Sequence, residues 1–274
     1  MAEGAKAAEH AAEESGSISD MIMEHILDGP ELHLPWVHVH LPHLELFGID
    51  LSITRHVVFM WVAAVFLIVA LTLTTRRRGL VPSGFANMVE SVVVFIRDEI
   101  AIPNIGKAEA GRFLPYLFTV FFFILTCNML GLIPFGATAT ANINVTAALA
   151  LCSFGVIQLA GMIHNGVFGY FKGLIPHGLP VWLLPIMIPI EFVGLFTKPF
   201  ALCIRLFANM TAGHVVILAL IGLIFILKTV AVAPVSVAFV LFVDLLEIFV
   251  ALIQAYIFTL LSAVFVGMAV HQEH

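Results

Sequence analysis

Arg205 stands in the stretch KPFALCIRLFANMTAGHVVIL, residues 198–218, among residues that are mostly apolar or small. Glu191, Lys198 and Arg205 recur at intervals of seven, and Asn209 follows four later. Seven residues of an α-helix return to within about 20° of the start, so these side chains share one face. His214 lies nine residues past Arg205, about 180° round, and points the opposite way. A second row, Asp244, Glu247 and Gln254, is spaced by three and seven and also shares a face. In hydrocarbon an arginine costs at least about 2.5 to 3.5 kcal/mol at mid-bilayer. Titratable groups at several depths are what an ion path through a low-dielectric slab requires. Asp244 and Glu247 would repel each other if both ionised, so one is protonated, water-exposed or paired. The competing reading is structural glue between helices. It stands open for Asn209 and Gln254, because interhelical amide bonds are common in membranes. It accounts poorly for Arg205.

The composition sets the solvent. The 274 residues are 61% hydrophobic and 11% charged, with a mean hydropathy of +1.08. A soluble domain is roughly half apolar and a quarter charged, so this chain reads as a polytopic membrane protein. Its 24 Phe far outnumber its 3 Trp and 3 Tyr, so lipid-facing bulk outweighs interface anchors. The net charge of −6 comes mostly from the first 50 residues, and no basic stretch is extended enough to suggest a nucleic-acid partner. Cys127, Cys152 and Cys203 lie in apolar runs without metal-ligand spacing and read as small hydrophobes.

Residues 1–20 form a polar, Ala/Glu-rich tail without the apolar core of a cleavable signal peptide. Residues 21–274 read as one integral-membrane domain. Its lead-in is broken by Pro30, Pro35 and Pro42 and holds His38, His40 and His43. That spacing makes a metal site conceivable, but no acidic partner sets a coordination geometry, so solvated histidines at a membrane surface are the reading taken. A first span covers about 56–75 and ends at Arg76 to Arg78, which the positive-inside rule assigns to the cytoplasm. The tail is then outside. GFANMVESVVVFIRDEIAI carries Glu90, Arg97, Asp98 and Glu99 and reads as an amphipathic helix at the cytoplasmic interface, with a linker helix as the alternative. Spans at about 113–135 and 145–171 form a hairpin around the uncharged GATATANIN.

The remainder exceeds single crossings. The stretch 179–227 would measure about 74 Å as one helix, and 235–270 is also too long for a perpendicular span. Each holds either several spans or one long, strongly tilted helix. The second option is preferred: two antiparallel helices, the first bent near its prolines, with the C-terminus cytoplasmic. The expected class is therefore all-α. If they pair about a turn near Ala231, His214 is 17 residues before that point and Glu247 is 16 after it. One imidazole and one carboxyl then meet at one depth. Arg205 lies deeper, with Gln254 about a turn from level.

At RLFANMTAGH, ANINVTAALAL and LIQAYIFTLL the chain resembles the family of subunit a of the F-type ATP synthase membrane sector. The likeness covers roughly residues 20–272 and includes the helix layout just described. The resemblance implies a non-catalytic stator that passes an ion, taken as a proton, between two half-channels. It implies a ring of c subunits, peripheral-stalk b subunits and other ATP synthase subunits as partners in a bacterial plasma (inner) membrane, and no cofactor or metal. Matched by position, Arg205 is the arginine facing the ring, with Asn209 and Gln254 as amides near it. His214 and Glu247 belong to the outer half-channel, entered near Asn144. Glu191 matches an acid near the cytoplasmic exit and Lys198 the lysine ahead of the arginine. Asn142 departs from the family, which often has Asp there. The rival from another class is a proton-coupled secondary transporter with a buried Arg/acid pair, which would show broken helices and an internal repeat. An intramembrane enzyme lacks support, since neither HExxH nor GxSxG occurs.

Overall fold

A computed structural model describes residues 31–34, 37–40, 45–46, 49–50, 52–76, 84–133, 136, 138–173, 183–227 and 233–271. The polar tail, His43, Arg77 and Arg78 lie outside them. Five helices are long and apolar enough to cross a membrane. They are α1 (Arg55–Arg76), α4 (Ala110–Gly131), α5 (Ile143–Asn165), α7 (Leu184–Leu227) and α8 (Ala233–Val270). Helices of 44 and 38 residues for α7 and α8 correspond to about 66 and 57 Å, roughly twice the hydrocarbon thickness. Neither is divided into separate spans. α7 runs on through Pro189 and Pro199.

Three features depart from the expected layout. Ahead of α1 the chain forms short antiparallel pairs, β1 (Glu31–Leu34) with β2 (Val37–His40) and β3 (Glu45–Leu46) with β4 (Ile49–Asp50). The register sets Leu32 opposite Val39 and His33 opposite His38. The strict all-α expectation therefore holds only from Arg55 on. Alternation of apolar and polar residues has period two, which suits a strand. Second, the span expected at 145–171 is two helices, α5 and the short α6 (Val167–Gly173). Gly166 separates them at φ 72°, a left-handed conformation that glycine adopts without Cβ strain. Third, the segment expected at the interface is α2 (Phe85–Phe95), a π-helical turn at Ile96–Ala101 and α3 (Ile102–Ile105). In that turn the Ile102 amide donates to the Arg97 carbonyl, five residues back.

In this segment Val89, Ile96, Ile100 and Ile105 are buried, while Glu90, Arg97 and Glu99 are exposed, as are the apolar Phe85, Met88, Val94 and Phe95. Arg97 Nε donates to Asp98 Oδ1 at 2.7 Å. That bond, together with the guanidinium charge, holds the Asp98 carboxyl below its ordinary range.

The chain divides into two compact units that interleave along the sequence. One gathers residues 63–126, 143–206 and 253–274. Its core is apolar: Ile100, Leu117, Phe121, Ile124, Leu206, Phe258 and Val266 are almost fully buried. Small residues allow close approach there. A Cβ at Gly161 would overlap the Tyr170 ring, and one at Gly267 would overlap the Asn104 carbonyl. The end of α8 is tied down. Asn165 Nδ2 donates to the Ala269 carbonyl at 2.9 Å, satisfying an acceptor that the helix end leaves open. His271 Nε2 is 2.7 Å from the Ile105 carbonyl.

The other unit gathers residues 1–62, 127–142 and 207–252. Its buried set is largely polar. Asn128 and Thr140 are fully buried, and Thr138, His56, Ser236 and Glu247 nearly so. Burying a polar atom without a hydrogen bond is costly, and Asn128 Nδ2 and Glu247 Oε1 find no hydrogen-bond partner among the described residues, so this set marks where the chain spends polarity.

Candidate functional site

In the polar unit the site is built from α7, α8 and the turn following α4. His214, half-buried on α7, is hydrogen-bonded through Nε2 to Thr138 Oγ1. Thr138 begins a short 3-10 turn, Ala139–Ala141. It sits on Gly131, where a Cβ would overlap its side chain. Thr140 donates to Asn128 Oδ1, tying the turn to α4. Thr211, one turn before His214, lies 3.5 Å from the Ala141 carbonyl.

Glu247 reaches into the same region from α8. It is 8% exposed, so its carboxyl lies in low-dielectric surroundings. The carboxyl packs on Gly213, where any Cβ would overlap it. Gly213 is the chain neighbour of His214, so the carboxyl reaches α7 beside the imidazole's own backbone. Asp244, one turn earlier on α8, is half-buried.

The other candidates divide by exposure. In the apolar unit Arg205 is exposed, although Leu202, Cys203 and Leu206 around it are buried. It has no ion-pair partner among the described residues. A guanidinium stays protonated under all ordinary conditions, so this side chain is a standing positive charge on an apolar helix surface. Glu191 and Lys198 share its expected face and are half-buried. Lys198 Nζ lies 5.2 Å from the Phe265 ring centroid, within cation–π range. Gln254 is 5% exposed, and no hydrogen bond joins it to Arg205 among the described residues. Asn209 and Asn144 are exposed.

The geometry thus brings Glu247 to the helix turn that carries His214. It leaves Arg205 exposed, with no ion pair among the described residues. Thr138, Thr140, Asn128, Gly131 and Gly213 escape the sequence reading. A hydroxyl or amide in an apolar run carries no spacing rule of its own, and its partner is known only after folding. Gly213 beside His214 offered the one available signal, since a glycine inside a helical pattern often marks close packing. α7 and α8 are continuous helices, whereas a secondary transporter is expected to break its helices at a midplane site.

Comparison with known proteins agrees with that preference. The family model described as ATP synthase A chain matches residues 57–267. The chain is 52% identical over 260 residues to ATP synthase subunit a of Chloroherpeton thalassium, covering 92% of this chain and 77% of that one. It is 51% identical over 264 residues to ATP synthase subunit a of Myxococcus xanthus, covering 91% and 87%. ATP synthase subunit a 2 of Chlorobaculum tepidum is 52% identical over 270 residues, covering 96% and 76%.

Proposed function

Since the chain belongs to the ATP synthase A chain family, we infer that it is the proton-translocating stator subunit of an ATP synthase membrane sector. It works with other ATP synthase subunits and is not favoured as a secondary transporter. In the finer reading, it faces a ring of c subunits, is held by peripheral-stalk b subunits, and lies in a bacterial plasma membrane. The polar tail is outside and the C-terminus cytoplasmic. α7 and α8 run antiparallel and strongly tilted. Their lengths and the five residues between them support this, because so short a link favours reversal over a further extension of the rod.

Protons enter from outside near Asn144, His214 and Glu247 and neutralise a carboxyl group on a passing c subunit. The ring turns, and the proton leaves on the Glu191 side, with Lys198 nearby. Arg205 draws the returning carboxylic acid into its ionised form. Asn209 and Gln254 lie along this path, and Asp244 supports its outer part. Opposite charges 4 Å apart at an effective dielectric of about 20 gain roughly 4 kcal/mol. That lowers a carboxyl pKa by a few units and can still be reversed at each step. The same cation repels a proton moving directly between the two paths.

The observation that carries this reading is Arg205, exposed and without an ion pair among the described residues, on an apolar helix. Such a charge calls for an anionic partner from outside the chain. The test is proton conductance of vesicles containing the assembled membrane sector without its catalytic head, then ATP synthesis once the head is restored. Arg205→Ala is expected to leak protons and to abolish synthesis. Arg205→Lys is expected to fail in synthesis, because a desolvated lysine deprotonates and lacks the planar fork. Near wild-type synthesis by the Ala variant would make Arg205 structural.

A further inference from the structure

We infer that Thr138 is a positioning residue for His214, and that the turn carrying it, seated on Gly131 and tied to Asn128, keeps that imidazole usable in both of its protonation states. This rests on the reading of His214 as part of the ion path. Thr138 is 3% exposed and its hydroxyl meets His214 Nε2, so water has little access from the threonine side. A hydroxyl both donates and accepts. It donates to Nε2 when that nitrogen is bare and accepts from it when the nitrogen carries a proton. A proton-carrying imidazole with a carbonyl or backbone amide partner would lose its bond in one of the two states. With a hydroxyl partner the ring need not turn as its charge changes.

The support beneath Thr138 is equally specific. Its side chain occupies the space that a Cβ at Gly131 would take. Two residues on, Thr140 donates to Asn128 Oδ1, and both groups are fully buried. The turn is therefore held at its start by the Gly131 seat and beyond it by the Thr140 bond. The Glu247 carboxyl, for its part, lies on Gly213. Hydroxyl and carboxyl thus reach two consecutive residues of α7, His214 and Gly213, from two different elements.

The experiment measures proton conductance of vesicles carrying the assembled membrane sector, with Thr138→Val, Thr138→Ser, His214→Ala and the double variant Thr138→Val with His214→Ala. Valine keeps the shape and removes the hydroxyl. It is expected to lower conductance roughly three- to tenfold, the factor carried by one net hydrogen bond. Serine is expected to recover most of that loss. On the His214→Ala background, Thr138→Val is expected to add no further loss, since the group it positions is gone. If the two losses multiply, or if Ser is as poor as Val, Thr138 acts by packing and the inference is overturned. Should Thr138→Val conduct normally while His214→Ala does not, the inference alone fails. Should His214→Ala conduct normally, the fault lies with the ion-path reading beneath it.

Discussion

At the scale of single residues, the site depends on a side chain that is absent. Gly213 leaves room for the Glu247 carboxyl directly against α7. Adding one methyl there forces the carboxyl away or distorts the helix contact, and overpacking of this kind costs about 1–3 kcal/mol. Gly213→Ala is therefore expected to reduce proton conductance several-fold. Adding Glu247→Asp, which withdraws the carboxyl by one methylene, is expected to return part of it. Normal conductance by Gly213→Ala would mean that the carboxyl does not work from this seat. A companion measurement exchanges the pair. His214→Glu with Glu247→His is expected to conduct better than either change alone, and a swap no better than the worse single variant would argue against their acting together. Arg205 and the two polar rows were legible from charge and helical period. The hydroxyl bonded to His214 was not, because its role comes from a turn that brings residue 138 to residue 214.

At the scale of elements, what the sequence disclosed was length and solvent. Long apolar runs announce helices whatever their neighbours, and α1, α4, α7 and α8 fall within a few residues of the expected spans. The break at Gly166 was missed although Asn165-Gly166 is a helix-stop signal, because the apolar run continues beyond it. The π-helical turn at Ile96–Ala101 has no residue signature, since one shifted hydrogen bond demands no particular side chain. The α5–α6 junction makes its own prediction. Asn165 bonds the end of α8 and Gly166 holds a left-handed backbone. Asn165→Ala and Gly166→Ala are each expected to destabilise the fold by about 1 kcal/mol. The measurement is the thermal midpoint of the detergent-solubilised complex; no downward shift in either variant would show that this junction contributes little.

At the scale of the whole molecule, orientation in the membrane is the physical variable that charge decides. The dense positive charge at Arg76 to Arg78 argues for a cytoplasmic end of α1 and an outer N-terminus. A cysteine introduced at Ser17 is expected to react with an impermeant maleimide from outside only, and labelling solely from the cytoplasmic side would reverse the assignment. Fold class was legible at this scale because bilayer thickness limits what an apolar chain can do. The two-unit division was not, since both units draw on segments far apart along the chain. The unbroken passage of α7 through Pro199 has a further consequence, for heredity. Glu191, Lys198 and Arg205 keep one bearing only while fourteen steps of regular helix separate the first from the last. Many substitutions between them preserve that count. One inserted or deleted codon does not: it turns Arg205 by about 100° relative to Glu191. Descent in this stretch is expected to rewrite letters freely and to leave the distance between them untouched.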